Sequence, residues 1–183
     1  GNGSGAFALN ATTGELRVAN ASKLDFEVTQ QFTLTVKATD NGQPTRSDTA
    51  TVTVNLQDVN EFNPVLGDVT FSINDESPNR AQVGQLVAAD GDTLQNIQYT
   101  ILSGNTSGAF SLNASTGKLT IADASQLGFS QFTLSVQATD NGQPTRSGTA
   151  TVTINVVAVN KFDPVLDDAT FGKLSVQRTT DEP

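Results

Sequence analysis

The segment Asp58–Pro64 limits the possible folds of this chain more than any other feature. It follows the run Ala50–Leu56, whose alternating apolar and polar residues predict a strand. It ends at a proline, which cannot donate a hydrogen bond to a sheet and which favours an extended conformation at Asn63. Two carboxylates and two amides lie in between, and their oxygens suit a hard cation. The segment is therefore predicted to be a short, extended connector that can bind metal.

The same frame recurs about 100 positions later, because the chain contains an internal repeat. Residues 31–66 match residues 131–166 at about three-quarters of positions. The second copy has a short deletion just before this matching stretch. We expect residues 1–62 to be the C-terminal part of a first repeat without its first strands. Residues 63–163 would be a complete second repeat, and residues 164–183 a linker and the start of a third repeat or a tail.

The incomplete first repeat leaves three explanations open. The chain is a piece cut from a longer protein without regard to domains, or residues are missing, or another chain supplies the absent strands by swapping. The complete repeat has seven strand candidates, no helical periodicity and turns rich in Gly, Asn, Asp and Pro, which predicts an antiparallel β-sandwich. The candidates are residues 69–73, 83–88, 97–101, 109–112, 118–121, 132–138 and 150–157.

Composition excludes several classes of function. The 183 residues include no Cys, His, Met or Trp, which argues against zinc, copper or iron sites and rules out Ser-His-Asp and Cys-His catalysis. A net charge of −9 argues against nucleic acid and anionic membrane surfaces as partners. No apolar run approaches the roughly 18 to 20 residues that span a bilayer, so we expect no direct membrane insertion.

Acidic residues cluster where predicted strands end. On a sandwich, one group would lie at the lower pole of the first repeat, where its last strand ends, and the other at the upper pole of the second repeat. Together these carboxylates would repel one another strongly unless a cation neutralised them. Calcium takes roughly six to eight oxygens and fits better than magnesium, which keeps its waters. The two groups are Asp25, Glu27, Asp58 and Glu61 at the lower pole, and Asp90, Asp92 and Asp140 at the upper pole.

The chain resembles the cadherin repeat family over nearly its whole length. The resemblance lies in Leu24–Glu27, Ala38–Gly42, Asp58–Pro64 and Ala89–Asp92, which match the L-D-x-E, A-x-D-x-G, D-x-N-D/E-N-x-P and D-x-D signatures in the family's order. It implies Greek-key, immunoglobulin-like cadherin β-sandwiches in tandem, an all-β fold. It also implies an extracellular or cell-surface protein with about three Ca²⁺ ions at the junction between repeats.

The resemblance further implies which residues bind these ions. Asp25, Glu27, Asp58, Glu61 and Asp92 would hold the first two. Asn60, Asp90 and Asp140, with the carbonyl group of Phe62, would hold the third. At the lower pole of the second repeat the corresponding positions carry Gly128, Ser130, Ala158 and Lys161. A lysine there supplies positive charge without a bound cation, so we expect this second junction to bind no calcium and to bend freely.

These features leave three functions open. The first is a calcium-stiffened adhesive array outside the cell, similar in style to bacterial surface proteins, whose partners are other cadherin-like repeats of the same chain or of a second copy. The second is a calcium-dependent carbohydrate-binding module of a surface or biofilm protein, although a single Tyr and no Trp leave few aromatic platforms. The third is a glycosidase with two carboxylates, which a sandwich-end cluster without aromatic subsites disfavours.

Overall fold

A computed structural model describes residues 1–92 and 94–165. Regular structure within these residues is almost entirely β-strand. The strands are β1 (Phe7–Leu9), β2 (Leu16–Val18), β3 (Gln31–Thr39), β4 (Ser47–Asn55), β5 (Val69–Asn74), β6 (Gln82–Gln85), β7 (Gln98–Ser103), β8 (Phe110–Leu112), β9 (Lys118–Ile121), β10 (Gln131–Thr139) and β11 (Ser147–Val157). Two 3-10 turns, Ala21–Lys23 and Ala124–Gln126, are the helical elements of this part of the chain, and neither could cross a membrane.

The second repeat is a two-sheet sandwich. One sheet has the strand order β5-β11-β10-β7, and the other has the order β6-β9-β8. Strands β10 and β11 pair antiparallel with Gln131 opposite Asn155, whereas β5 runs parallel to β11 with Val69 beside Val152. Because β5 and β11 run in the same direction, both end at the lower pole of this repeat.

Alternation along β10 and β11 builds the core between these sheets. Leu134 and Val136 of β10 are fully buried, as are Val152 and Ile154 of β11, while the intervening residues face outward. An aromatic pair closes the core, with the rings of Phe110 and Phe132 edge to face and 5.0 Å apart. The period-two pattern of the sequence therefore places one face of each strand inside, as sandwich packing requires.

The first repeat has the same local structure but much less burial. Strands β3 and β4 pair in the register of β10 and β11, with Gln31 opposite Asn55, and β1 pairs with β2. Its core cluster has only three buried residues, Ala6, Phe7 and Leu34. Within the described residues, nothing corresponding to β5, β6 and β7 packs against it, which explains why Val36 is partly exposed and its counterpart Val136 is not.

The all-β sandwich predicted from the sequence is confirmed, with seven strands in the second repeat. The main difference is β6, which ends at Gln85 rather than at residue 88. Beyond it the backbone leaves the sheet: the amide of Ala88 donates to the Tyr99 hydroxyl oxygen at 2.9 Å, and Ala89 bridges to Val65. The expected start of a third repeat lies outside the described residues, apart from 164 and 165.

Candidate metal centre

The connector Asp58–Pro64 is fastened to the second repeat by direct hydrogen bonds. The side-chain amide of Asn60 donates to the carbonyl oxygen of Pro144 at 2.6 Å. Arg146 donates from Nε to the carbonyl oxygen of Asn60 at 2.8 Å and from Nη1 to Oδ1 of Asn63 at 3.3 Å. The loop between β10 and β11 therefore helps to orient the connector.

Three carboxylates from separate segments meet beside this connector. Oxygen atoms of Glu27, Asp58 and Asp92 all lie within 4.8 Å of one another. Glu27 belongs to the loop before β3, Asp58 follows β4, and Asp92 lies in the loop after β6. Asp92 is only 1% exposed, although it carries a carboxylate. The two repeats thus contribute acidic groups to one place, as the sequence predicts.

The electrostatics of this cluster are unfavourable without a cation. Burial raises the pKa of Glu27, and a backbone hydrogen bond offsets part of that effect. The negative charges of the neighbouring carboxylates Glu61, Asp58 and Asp92 raise the pKa further. Glu27 would therefore gain from a nearby positive charge, because its ionised form is the one that its surroundings disfavour.

A second set of oxygens lies deeper and has no hydrogen-bond donor. Leaving a buried acceptor unsatisfied costs about 1–3 kcal/mol, and more for a charged group. A calcium ion takes roughly six to eight oxygens and would satisfy those of them within its reach. The buried oxygens without a partner are Asn60 Oδ1, Asp90 Oδ2, Asp92 Oδ1, Gln95 Oε1 and Asp140 Oδ2.

Asp140 shows how local structure prepares a ligand. Its Oδ1 accepts from the backbone amides of Gly142 at 3.0 Å and Arg146 at 2.9 Å, and its Oδ2 is free of donors. Burial alone would raise the pKa of Asp140, but these amides and the Asn60 side chain hold that pKa below its ordinary value. The carboxylate is therefore kept ionised, with one oxygen anchored and the other available.

Asp90 and Phe62 also help to shape the site. Oδ1 of Asp90 accepts from the amide of Asp92 at 3.1 Å, which leaves its Oδ2 unpartnered. The amide of Phe62 donates to Oδ2 of Asp92 at 3.0 Å, and a Cβ at Gly91 would overlap the Phe62 ring. A larger residue at Gly91 would therefore displace the exposed Phe62 ring, and the convergence of the two aspartates stays a prediction. The metal contact of the Phe62 carbonyl stays a prediction.

Two predicted ligands are placed less directly. Oδ1 of Asp25 accepts from the amide of Val28 at 3.0 Å, so this side chain caps its own turn and lies outside the three-carboxylate cluster. Glu61 is exposed and acts on the cluster through its charge, which raises the pKa of Glu27. Both remain predicted ligands, and the hydrogen bond of Asp25 uses only one of its two oxygens.

Gln95 is a candidate ligand that sequence reasoning missed. Its Oε1 is buried beside the Asn60 side chain, because both would contact a Cβ added at Gly142. The neighbouring amide of Asn96 donates to Oδ1 of Asn141 at 2.8 Å and holds this loop against the β10–β11 loop. A glutamine in a polar loop matches no metal-binding pattern, so only its burial singles it out.

The donor set fits a calcium ion. Every group that faces the site is a carboxylate or amide oxygen, and neither sulfur nor imidazole occurs in the chain. The candidate ligands include five carboxylates, more than the one or two that magnesium usually takes: Glu27, Asp58, Asp90, Asp92 and Asp140.

Comparison with known proteins agrees with this architecture. The model of the Cadherin domain matches residues 1–57 and 69–157. The chain belongs to the cadherin family. Among relatives, human Protocadherin Fat 1 is 36% identical over 170 residues, covering 90% of this chain and 4% of that protein. The Drosophila melanogaster protocadherin-like wing polarity protein stan is 34% identical over 159 residues, covering 84% and 4%.

Solved cadherin structures have the same fold. The protocadherin gammaB7 EC3-6 cis-dimer structure aligns with a TM-score of 0.76 at 28% identity, over 84% of this chain and 40% of that one. Mouse Cadherin-23 EC22-24 aligns with a TM-score of 0.73 at 28% identity, over 86% and 51%. The chain spans only a small part of the length of Protocadherin Fat 1 and of stan.

These comparisons bear on three further points. The chain is a cadherin segment of the extracellular type and is not an enzyme. The relatives are animal proteins and give no support to the expectation of a bacterial-type surface protein. They also give no support to carbohydrate as a partner.

Proposed function

We propose that this chain is a calcium-binding segment of a tandem cadherin array, in which ions at the junction of the two repeats stiffen the connector and support adhesion. The observation that carries the proposal is the set of buried oxygens without donors around Asn60, Asp92 and Asp140. The carboxylates of Glu27 and Asp58 would add ligands from the first repeat. Adhesive contact would involve other cadherin repeats, on the same chain or on a second copy.

Two groups of ligands would share the ions, about three in number. The first two ions would be held by Asp25, Glu27, Asp58, Glu61 and Asp92. The third would be held by Asn60, Asp90 and Asp140 with the carbonyl of Phe62, and Gln95 Oε1 is an additional ligand for it. Bound calcium would neutralise the carboxylates and join Asp58 of the first repeat to Asp92 of the second, so that bending at the connector would break coordination bonds.

The first test is the thermal stability of the chain in millimolar calcium and in chelator. Extracellular modules have Kd values on the order of 10⁻⁴ to 10⁻³ M, and calcium at about 10 times its Kd stabilises a folded protein by about 1.4 kcal/mol. We expect Tm to rise in calcium and Glu61→Ala to remove most of the rise. Lys161→Arg, which keeps the positive charge at the other pole, is the control and should keep the full rise. Equal Tm values of the unmodified chain in calcium and chelator would refute the proposal.

A second test uses the single tyrosine of the chain as a local probe. Tyr99 accepts a hydrogen bond from Ala88, two residues before Asp90, and the chain has no Trp. Terbium, which takes oxygen ligands as calcium does, should therefore show luminescence sensitised by Tyr99, and calcium should displace it. Tyr99→Phe should lose the signal while keeping the calcium-dependent Tm. Terbium emission that calcium does not reduce would place the binding elsewhere.

A further inference from the structure

The lower pole of the second repeat contains an ion-pair cluster that has no equivalent at the first junction. Nζ of Lys161 lies 2.9 Å from Oε1 of Glu76 and 3.7 Å from Oδ2 of Asp75. Lys161 occupies the position that Glu61 holds in the first copy. At corresponding positions, the first repeat therefore has an acidic residue next to other acids. The second repeat has a basic residue next to acids.

Backbone hydrogen bonds show that these groups are held together. The amide of Asp75 donates to the carbonyl oxygen of Val157 at 3.0 Å, and its Oδ1 accepts from the amide of Val159 at 3.0 Å. Asp75 thus follows the end of β5 and fixes the segment that follows β11. These hydrogen bonds hold the backbone to within two residues of Lys161. They therefore place the lysine close to Asp75 and Glu76.

The other positions of this pole have lost the groups that a metal would need. Gly128 and Ser130 stand where the first copy has Asp25 and Glu27, and Ala158 stands where it has Asp58. The remaining acids, Asp75 and Glu76, already face a positive charge. The hydrogen bond with Glu76 also raises the pKa of Lys161, which keeps it protonated.

We propose that the ammonium group of Lys161 is a tethered cation that takes the place of a metal ion at the lower pole of the second repeat. The inference goes beyond the proposed function and rests on it only for the role of calcium at the first junction. Because the lysine is part of the chain, its positive charge is present at any calcium concentration. The charge balance of this pole therefore does not depend on calcium binding.

The experiment replaces the tethered cation in the full chain. Lys161→Glu would put a third carboxylate beside Asp75 and Glu76, and we expect one additional weak calcium-binding event by isothermal titration calorimetry, with Kd on the order of 10⁻³ M. Lys161→Met would leave the two acids without a counter-charge, so its Tm should fall in chelator and recover partly in calcium. Lys161→Arg keeps the charge and should behave as the unmodified chain.

The outcomes separate this inference from the proposed function. If Lys161→Glu binds no more calcium than the unmodified chain, and Lys161→Met shows the same Tm difference between calcium and chelator as that chain, the inference is wrong. Lys161→Met alone decides the matter if Lys161→Glu does not fold. Absence of calcium heat in the unmodified chain would instead refute the proposed function. The reciprocal change Glu61→Lys should reduce calcium heat at the first junction and raise stability in chelator, because it replaces a repulsive charge with an attractive one.

Discussion

Single residues at this junction divide their oxygens between local structure and the proposed metal. Asp140 anchors Oδ1 on two backbone amides and leaves Oδ2 without a donor, and Asp90 does the same with one amide. Asp40, the counterpart of Asp140, accepts from Gly42 and Arg46 in the same way but is exposed. The turn therefore forms from its local sequence. Burial distinguishes Asp140 from Asp40, because a buried oxygen without a donor would be stabilised more strongly by a cation than an exposed one.

Substitution of Gly142 tests directly whether a cation binds to the oxygens around it. A Cβ there would overlap the Asn60 amide and contact Gln95 Oε1, whereas one at Gly42 would make only ordinary contact with Asp40. We expect Gly142→Ala to weaken calcium binding roughly tenfold, about 1.4 kcal/mol, because two ligands must move. Gly42→Ala is the matched control and should leave the calcium titration unchanged. Equal calcium affinities of the two variants would count against Asn60 and Gln95 as ligands.

The raised pKa of Glu27 predicts a pH effect whose sign depends on calcium. In chelator the ionised carboxylate is disfavoured in the folded state, so Glu27→Gln should be the more stable form at pH 7. This gap should close as the pH falls through the raised pKa, because the native side chain is then protonated too. In calcium the order should reverse at pH 7, since glutamine is a poorer ligand. Tm values of both forms from pH 4 to 8 would show the reversal; the same order in both conditions would exclude Glu27 from the site.

At the scale of secondary-structure elements, the junction depends on how closely the connector approaches β11. The carbonyl of Pro64 packs directly against Gly148, where a Cβ would overlap it, and the amide of Thr151 donates to Oδ1 of Asp68 at 2.7 Å. The first copy has Asp48 at the position of Gly148, in a strand edge that carries no such neighbour among the described residues. The difference between Gly and Asp thus reflects what packs on each strand.

Substitution at this contact should separate packing from local strand preference. Gly148→Ala should destabilise the second repeat by about 1–3 kcal/mol, because the added methyl group meets backbone that cannot turn away. Asp48→Ala, at the same strand position of the first repeat, should change stability by no more than about 0.5 kcal/mol. Urea denaturation in chelator measures both without a contribution from calcium. Equal effects of the two changes would mean that Pro64 does not lie against β11 as described.

At the scale of the whole molecule, two copies of one sequence pattern end in different environments. The chain carries a net charge of −9, and acids from both copies meet at the connector. The second repeat already holds its side of the site in place through Arg146 and Asn60. Calcium would therefore have to recruit chiefly the first repeat, so the expected response is a change in how freely that repeat moves.

Small-angle scattering should detect this response. We expect the distributions of the radius of gyration and of the maximum dimension to be narrower in calcium than in chelator, because the ions restrict bending at the connector. Asp58→Asn should abolish most of the change by weakening the link between the repeats, and magnesium at equal concentration should not reproduce it. Identical scattering curves with calcium and chelator would show that the junction is rigid or flexible independently of metal.

The sequence by itself determined the strands and the tandem repeat, and it predicted the three carboxylates that meet beside the connector. Alternation in β10 and β11 and the turn residues around Asp140 are local properties, so they could be predicted without the fold. The acids that end strands at opposing poles could be predicted too, because antiparallel sandwich topology decides which strand ends meet.

Only the tertiary structure decided which oxygens are buried. Gln95 becomes a candidate ligand because its loop is held against the β10–β11 loop, and Asp25 lies outside the three-carboxylate cluster. Asp140 is buried while Asp40 is exposed, although their local sequences are identical from residue 38 to 47 and from 138 to 147. Burial and unmet hydrogen bonding arise from contacts between distant segments, and these contacts carry the case for a bound cation.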